Sequence, residues 1–216
     1  MLFSQTRFCK ICFNEFSPRS LYETFINECN ICHDCWNRFK PVFKSFTLDG
    51  VNCLTIYYYD QTIKELLFKL KGCYDIELAN LFLERFVSWL RFKYSKFYIV
   101  PIPSKKSDDE RRGFNQVKEI FSRLKIPFLD ILKKTSDVKQ TSKKFKSRLR
   151  ETHFTITDVD IVRGKKILIV DDVFTSGASV HSAITLVRGG KPKKIEVLVM
   201  AKTQKHSKKR IFLNLY

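Results

Sequence analysis

The stretch from Lys166 to Met200 constrains the fold more than any other part of the chain. Lys166–Val170 is a continuous apolar run of strand length, and a polar turn follows it. From about Gly177 to Arg188, Val180, Ile184 and Val187 recur at helical spacing. Gly189 and Gly190 end the pattern, where a left-handed cap favours glycine. Ile195–Met200 is a second apolar run. Strand, helix and strand in that length make a βαβ unit, whose strands lie parallel and whose crossover is right-handed. An α/β domain built on a parallel sheet follows.

The preceding residues fit the same class. Val51–Tyr59, apolar and aromatic with β-branched members, predicts a strand. Ile63, Leu66, Leu67 and Leu70 recur at helical spacing, with Gly72 as a stop, and Leu78–Phe92 repeats the behaviour. Phe97–Ile102 predicts a buried strand ended by Pro101 and Pro103. Ser104–Arg112 is charged and aperiodic, which predicts an exposed loop, and Phe114–Leu124 predicts a helix. At 216 residues the chain has room for one ordinary domain and a small appendage. The expected division is 1–45 and 46–216.

Asp171 and Asp172 stand at the carboxyl end of the apolar strand, the edge of an open α/β sheet where ligands bind. Adjacent carboxylates there can accept hydrogen bonds from the two vicinal hydroxyls of a ribose, or lie close to a bound Mg²⁺. Thr175-Ser176-Gly177-Ala178-Ser179 then opens the helix. Small residues let backbone approach a phosphate, first-turn N–H groups point outward, and the helix dipole favours negative charge. A helix cap alone accounts for one Asp or one Ser, not for two Asp and a run of small hydroxyl residues. The arrangement matches a phosphorylated ribose. It is not a Walker-type loop, since the Gly-Lys-Ser/Thr ending is missing.

Charge points to a polyanionic partner. Residues 101–216 carry 27 Lys and Arg against 12 Asp and Glu, +15 of the formal +18, while residues 1–60 are neutral. Such a field concentrates nucleic acid around the later part of the chain. Lys133, Lys134, Lys139, Lys143, Lys144, Lys146, Arg148 and Arg150 surround Phe145, and a basic groove with an aromatic for base stacking suits single-strand binding. Lys202–Arg210 adds a second basic cluster. No apolar run approaches the ~18 residues that span a membrane, and Met1–Cys12 lacks the layout of a signal peptide. The expectation is a cytoplasmic chain without membrane insertion, its seven Cys thiols or metal ligands rather than disulfides.

Cys9-Lys10-Ile11-Cys12 and Cys29-Asn30-Ile31-Cys32-His33-Asp34-Cys35 supply two C-x2-C knuckles about twenty residues apart, the spacing of a four-thiolate structural zinc site. Either Cys29/Cys32 or Cys32/Cys35 completes the second knuckle. Cys53 and Cys73 read as small buried hydrophobes.

Val170–Ser179 resembles the phosphoribosyl-pyrophosphate (PRPP) motif of type I phosphoribosyltransferases, most of all the version in the ComF/ComFC family of competence proteins. Val100-Pro101-Ile102-Pro103 followed by Arg111-Arg112-Gly113-Phe114-Asn115-Gln116 resembles that family's "VPVP…RGFNQ" signature, and Thr141 through Arg148 to Phe154 resembles the segment before its final strand. Ser176 stands where Thr is common, and Asp108, Asp109 and Glu110 where basic residues are more usual. The resemblance implies an α/β fold, a type I phosphoribosyltransferase-like parallel sheet with a small N-terminal zinc-binding element. It implies PRPP binding with Mg²⁺ through Asp171, Asp172, Val173, Phe174, Thr175, Ser176, Gly177, Ala178 and Ser179, with Arg111 and Arg112 on the pyrophosphate. The family's usual layout, with Trp36 after the last Cys, favours Cys9, Cys12, Cys32 and Cys35 as zinc ligands. The implied role is accessory to natural transformation, on single-stranded DNA entering the cytoplasm and alongside other DNA-uptake proteins. Lys133, Lys134, Lys143, Lys144, Phe145, Lys146, Arg148 and Arg150 are then the DNA contacts. Two other readings use the same motifs: a nucleobase phosphoribosyltransferase of salvage, and a DNA-binding module with a vestigial loop.

Overall fold

The computed structural model describes residues 6–17, 30–134 and 154–204. The N-terminal element comprises the short strands β1 (Arg7–Phe8) and β2 (Glu15–Phe16), paired antiparallel, and the single turn α1 (His33–Trp36). A five-stranded sheet follows, from β3 (Pro41–Leu48), β4 (Val51–Tyr58), β5 (Phe97–Pro101), β8 (Lys166–Phe174) and β9 (Lys194–Lys202) in the order β3-β4-β9-β8-β5. β4, β9, β8 and β5 run parallel, and β3 joins as an antiparallel edge. A small hairpin of β6 (Leu132–Lys134) and β7 (Phe154–Ile156) lies outside the main sheet.

Alternation along β8 fills both sides of the sheet. Leu168 and Val170 join a core with Leu54, Ile56, Leu198 and Met200, covered by α2 (Gln61–Gly72), α3 (Val87–Lys93) and α5 (Gln116–Ser122). Ile167 and Ile169 join the opposite core with Cys53, Val100, Val197 and Val199, covered by α6 (Ala178–Gly189). Burial on both faces is why these strands read as unbroken apolar runs. The cysteine element shares the first core, since Cys9, Ile31, Cys32, Cys35 and Phe39 belong to it. Asn30 donates to Glu84 from its backbone N (3.0 Å) and from its Nδ2 (3.2 Å), and Arg38 reaches Glu65 at 3.1 Å.

Several expectations need correction. Ser104–Arg112 is not a loop, because Lys106–Arg112 forms the helix α4. Ion pairs hold it in place of an apolar face: Asp109–Arg112 at 2.7 Å, Asp108–Arg111 at 3.6 Å and Lys106–Glu110 at 3.5 Å. Acidic residues in its first turn and basic ones in its last suit the dipole, and Gly113, at φ +79°, ends it. Leu78–Phe92 is not one helix but two 3₁₀ segments, Ile76–Phe82 and Glu84–Phe86, followed by α3. β8 does not turn after Val170 but continues through Phe174. Gly190 is right-handed at φ −81°. It is glycine because a Cβ there would meet the Val159 carbonyl oxygen at 2.1 Å, and Lys191 takes the left-handed conformation at φ +52°. Cys53 is buried as expected, its thiol pushed up to about 11 by burial, but Cys73 is exposed at the end of α2.

Candidate phosphoribosyl and metal sites

Because β8 runs on past Val170, the acidic pair lies within the strand. Asp172 turns toward α2 and α5. Its Oδ2 lies 2.5 Å from Lys71 Nζ and accepts a hydrogen bond from Gln116 Nε2 at 3.2 Å. Asp171 Oδ1 accepts from the Asp172 backbone N at 2.9 Å, and the charges of Lys71 and then of Lys134 on β6 act on its carboxyl. Burial, then the neighbouring Asp172 charge, push the Asp171 carboxyl well above the usual carboxylate range. A divalent cation beside the pair would offset that repulsion.

The loop after the strand is shaped by one steric fact. Gly177 is left-handed at φ +85°, and a Cβ on it would stand 2.6 Å from Cζ of Phe174. Gly177 is the N-cap of α6 and no side chain caps the helix; Ala178 N donates to Ser176 Oγ at 3.3 Å. Neither aspartate therefore serves as a helix cap. Thr175, Ser176 and Ala178 are exposed and Ser179 half-buried, at the end of a helix that attracts anions. Val173 and Phe174 have a different place. Both belong to the β8–β9 ladder, opposite Ala201 and Lys202, and the Phe174 ring packs edge-on against Phe46 at 5.0 Å. Phe174 supports Gly177 in the loop, whereas Val173 packs against the first core.

Arg111 and Arg112 are not equivalent. Arg111 is exposed beside Asp108, whereas the Arg112 side chain is 7% exposed and fixed on Asp109. Asp109 is the hub of the Pro103–Gln116 segment. Its Oδ1 accepts from Ser104 Oγ and Arg112 Nη2, and its Oδ2 from Asn115 Nδ2 at 2.7 Å; Asn115 Nδ2 also reaches Ser104 Oγ at 3.0 Å. Asn115 Oδ1 caps α5 through Lys118 N. Sequence reasoning gave Asp109 no role and overlooked Lys71 and Gln116. The Asn-Gln that follows Gly113 held part of the signal. Among the described residues, Arg112 Nε and Gln116 Oε1 are buried without a hydrogen-bond partner. Pro103, Ser104, Asp109, Asn115, Lys133 and Lys134 border a cleft of about 370 Å³. The expected DNA contacts Lys143, Lys144, Phe145, Lys146, Arg148 and Arg150 lie outside the described residues.

Cys9, Cys12, Cys32 and Cys35 bring their sulfurs within 4.8 Å of one another, with Cys12 and Cys32 3.8 Å apart. Four thiolates at ~2.3 Å from a tetrahedral zinc lie ~3.8 Å from one another, so the donor set fits that ion. Ile11 N approaches Cys9 Sγ at 3.4 Å and Cys35 N approaches Cys32 Sγ at 3.5 Å. Against the opposing effect of burial, backbone N–H groups bring the Cys9 thiol down to about 7, while burial pushes Cys32 and Cys35 up. The cluster is compatible with a structural zinc ion. Cys29 lies outside the described residues.

The mostly parallel sheet, the acidic strand end and the glycine-turned loop define a phosphoribosyltransferase-like domain, and residues 109–212 match the phosphoribosyl transferase domain family. The resemblance to the ComF/ComFC family holds over most of the chain. Competence protein ComFC of Bacillus subtilis (strain 168) is 31% identical over 158 residues, 71% of this chain and 64% of that protein. Competence protein ComFC of Streptococcus pneumoniae is 29% identical over 154 residues, 71% of this chain and 69% of that protein. The match thus spans less than two thirds of the Bacillus relative's length. Adenine phosphoribosyltransferase from Saccharomyces cerevisiae aligns with a TM-score of 0.40 at 16% identity, covering 79% of this chain and 86% of that one.

Proposed function

We propose that this protein acts in natural competence, binding PRPP with Mg²⁺ at the end of β8 and single-stranded DNA on its basic surface in the cytoplasm. The observation that carries this reading is the join at Phe174–Gly177. A strand bearing two aspartates ends on a ring that admits only glycine above it, and the chain passes at once into the N-terminus of α6. Asp171 and Asp172 would face the ribose hydroxyls and Mg²⁺, and Thr175–Ser179 the 5′-phosphate. The pyrophosphate falls to exposed Arg111, with Arg112 holding the segment through Asp109. The relatives' printed role supports the competence setting. Among the described residues no helix is long and apolar enough to cross a membrane.

Zinc on Cys9, Cys12, Cys32 and Cys35 would fix an element already continuous with the main core. Its role is structural, since all four positions are taken by protein.

Calorimetric titration with PRPP and Mg²⁺ tests the site. Saturable binding is expected, and it should be lost when Asp171 and Asp172 are both changed to Ala. Absence of binding by the native protein overturns the reading. For the metal, Cys9→Ser should lose stoichiometric zinc; a variant retaining it would show that the ligand set is different.

A further inference from the structure

We propose that a groove on the other side of the phosphate loop, between β3 and the ends of β4, β8 and β9, is a binding track for single-stranded nucleic acid. The inference rests on the single-strand reading above and gives it a surface that the basic 133–150 stretch does not include. The groove measures about 600 Å³, and Lys44, Phe46, Tyr58, Thr175, Ser176 and Lys202 are among the residues lining it.

Three features set the ligand chemistry. The first is charge: two lysines line the groove and no carboxylate is among its described lining residues. The cleft beside Pro103 differs, since Asp109 and Asp130 stand among its lysines. The second is aromatic surface. Phe46 is half-buried, its ring held at 70° to Phe174, and the Lys202 ammonium lies 3.5 Å from its centroid. Tyr58 supplies a second ring at the end of β4. Flat rings beside ammonium groups suit bases and phosphates together, the pairing by which proteins follow a single strand without reading its sequence. The third is continuity. Thr175 and Ser176 line the groove and also open the phosphate loop, so a strand lying there passes directly beside the loop.

A simple anion would leave the aromatic surface unused, and an apolar peptide would bring no phosphate to a groove lined by two lysines. Lys44 is exposed on β3, the edge strand, so access to the groove needs no opening of the core.

The test uses the full chain and a fluorescent 30-mer of thymidylate, with affinity measured by anisotropy across a salt series. Lys44→Gln/Lys202→Gln should weaken binding by about tenfold and make the log–log salt dependence shallower by about 1.4, the value for two phosphates of a single strand. Lys64→Gln/Lys96→Gln, with the same charge change on exposed lysines elsewhere, should stay near the native affinity. In parallel, an oligonucleotide carrying bromouracil is photocrosslinked to the native protein and the adduct located by mass spectrometry, a readout independent of variant folding. Adducts at Phe46 or Tyr58 support the track. Binding by the native protein with adducts only elsewhere, or with both double variants equally affected, overturns the groove and leaves the single-strand reading intact. No binding by the native protein overturns both.

Discussion

Lys71 Nζ lies 2.5 Å from Asp172 Oδ2, joining the last turn of α2 to the acidic pair on β8. Asp172 is 7% exposed, so its charge is sustained by this ammonium and by the Gln116 amide. Lys71→Met leaves a buried carboxylate with one neutral partner. The expected destabilisation is about 1–3 kcal/mol, below that of a wholly buried pair because the Lys71 side chain is 35% exposed. Urea unfolding measures it, and an unchanged midpoint would show that solvent already supports Asp172.

Gly177 is the loop's steric bottleneck. Gly177→Ala combines a left-handed φ with a methyl 2.6 Å from the Phe174 ring, so the ring or the loop must move. The conformational part costs about 1–2 kcal/mol. The larger expected effect is on ligand binding, because the displaced element is the loop proposed above to cradle the 5′-phosphate. PRPP titration of the folded variant should show loss of binding that exceeds its loss of thermal stability. Native affinity in Gly177→Ala would show that the cradle lies elsewhere.

Asp109 separates two kinds of acidic residue on one helix. Asp109→Ala leaves the Arg112 guanidinium buried without its carboxylate and removes the acceptor for Ser104 and Asn115. A loss of about 2–4 kcal/mol is expected. Glu110→Ala, which breaks only an exposed contact to Lys106, should change stability by no more than about 0.5 kcal/mol. Equal effects of the two substitutions in denaturant unfolding would remove Asp109 from its place as hub.

The βαβ unit, buried on both sides, was the most legible part of the sequence. β8, α6 and β9 are apolar because both faces of the sheet are covered, and periodicity reports coverage directly. A four-cysteine metal cluster was legible because metal-ligand spacing is local, whereas the choice of Cys32 and Cys35 for its second knuckle came from the family's layout. Much of what escaped depends on charge pairing or on edges, while the buried Ile76–Phe82 stretch escaped because apolar spacing does not separate a 3₁₀ segment from an α-helix. α4 is held by ion pairs and buries none of its own residues, so it shows no hydrophobic period. β3 is an exposed edge strand, yet Asp49-Gly50, with φ of +52° and +74°, marks the two-residue turn that joins it to β4. That dipeptide was a usable signal. The partners of Asp172 come from Lys71 and Gln116, far off in sequence, and no local pattern announces them.

Glu84 fastens the cysteine element to the main domain by accepting both Asn30 hydrogen bonds, and its burial raises its pKa above the usual 4.5 even though those bonds oppose the shift. A carboxyl with a raised folded-state pKa binds its proton more tightly in the native protein than in the unfolded chain. Its contribution to stability is therefore fully present below the unfolded pKa and is lost as pH rises through the folded one. Glu84→Gln keeps the shape and does not titrate. The difference in unfolding free energy, native minus Glu84→Gln, should accordingly fall as pH rises from about 4.5, then level off once Glu84 is ionised in the folded protein. Chemical denaturation across that range at fixed zinc concentration measures the difference. A difference that instead grows with pH would mean that the Asn30 hydrogen bonds outweigh burial and that Glu84 is held ionised.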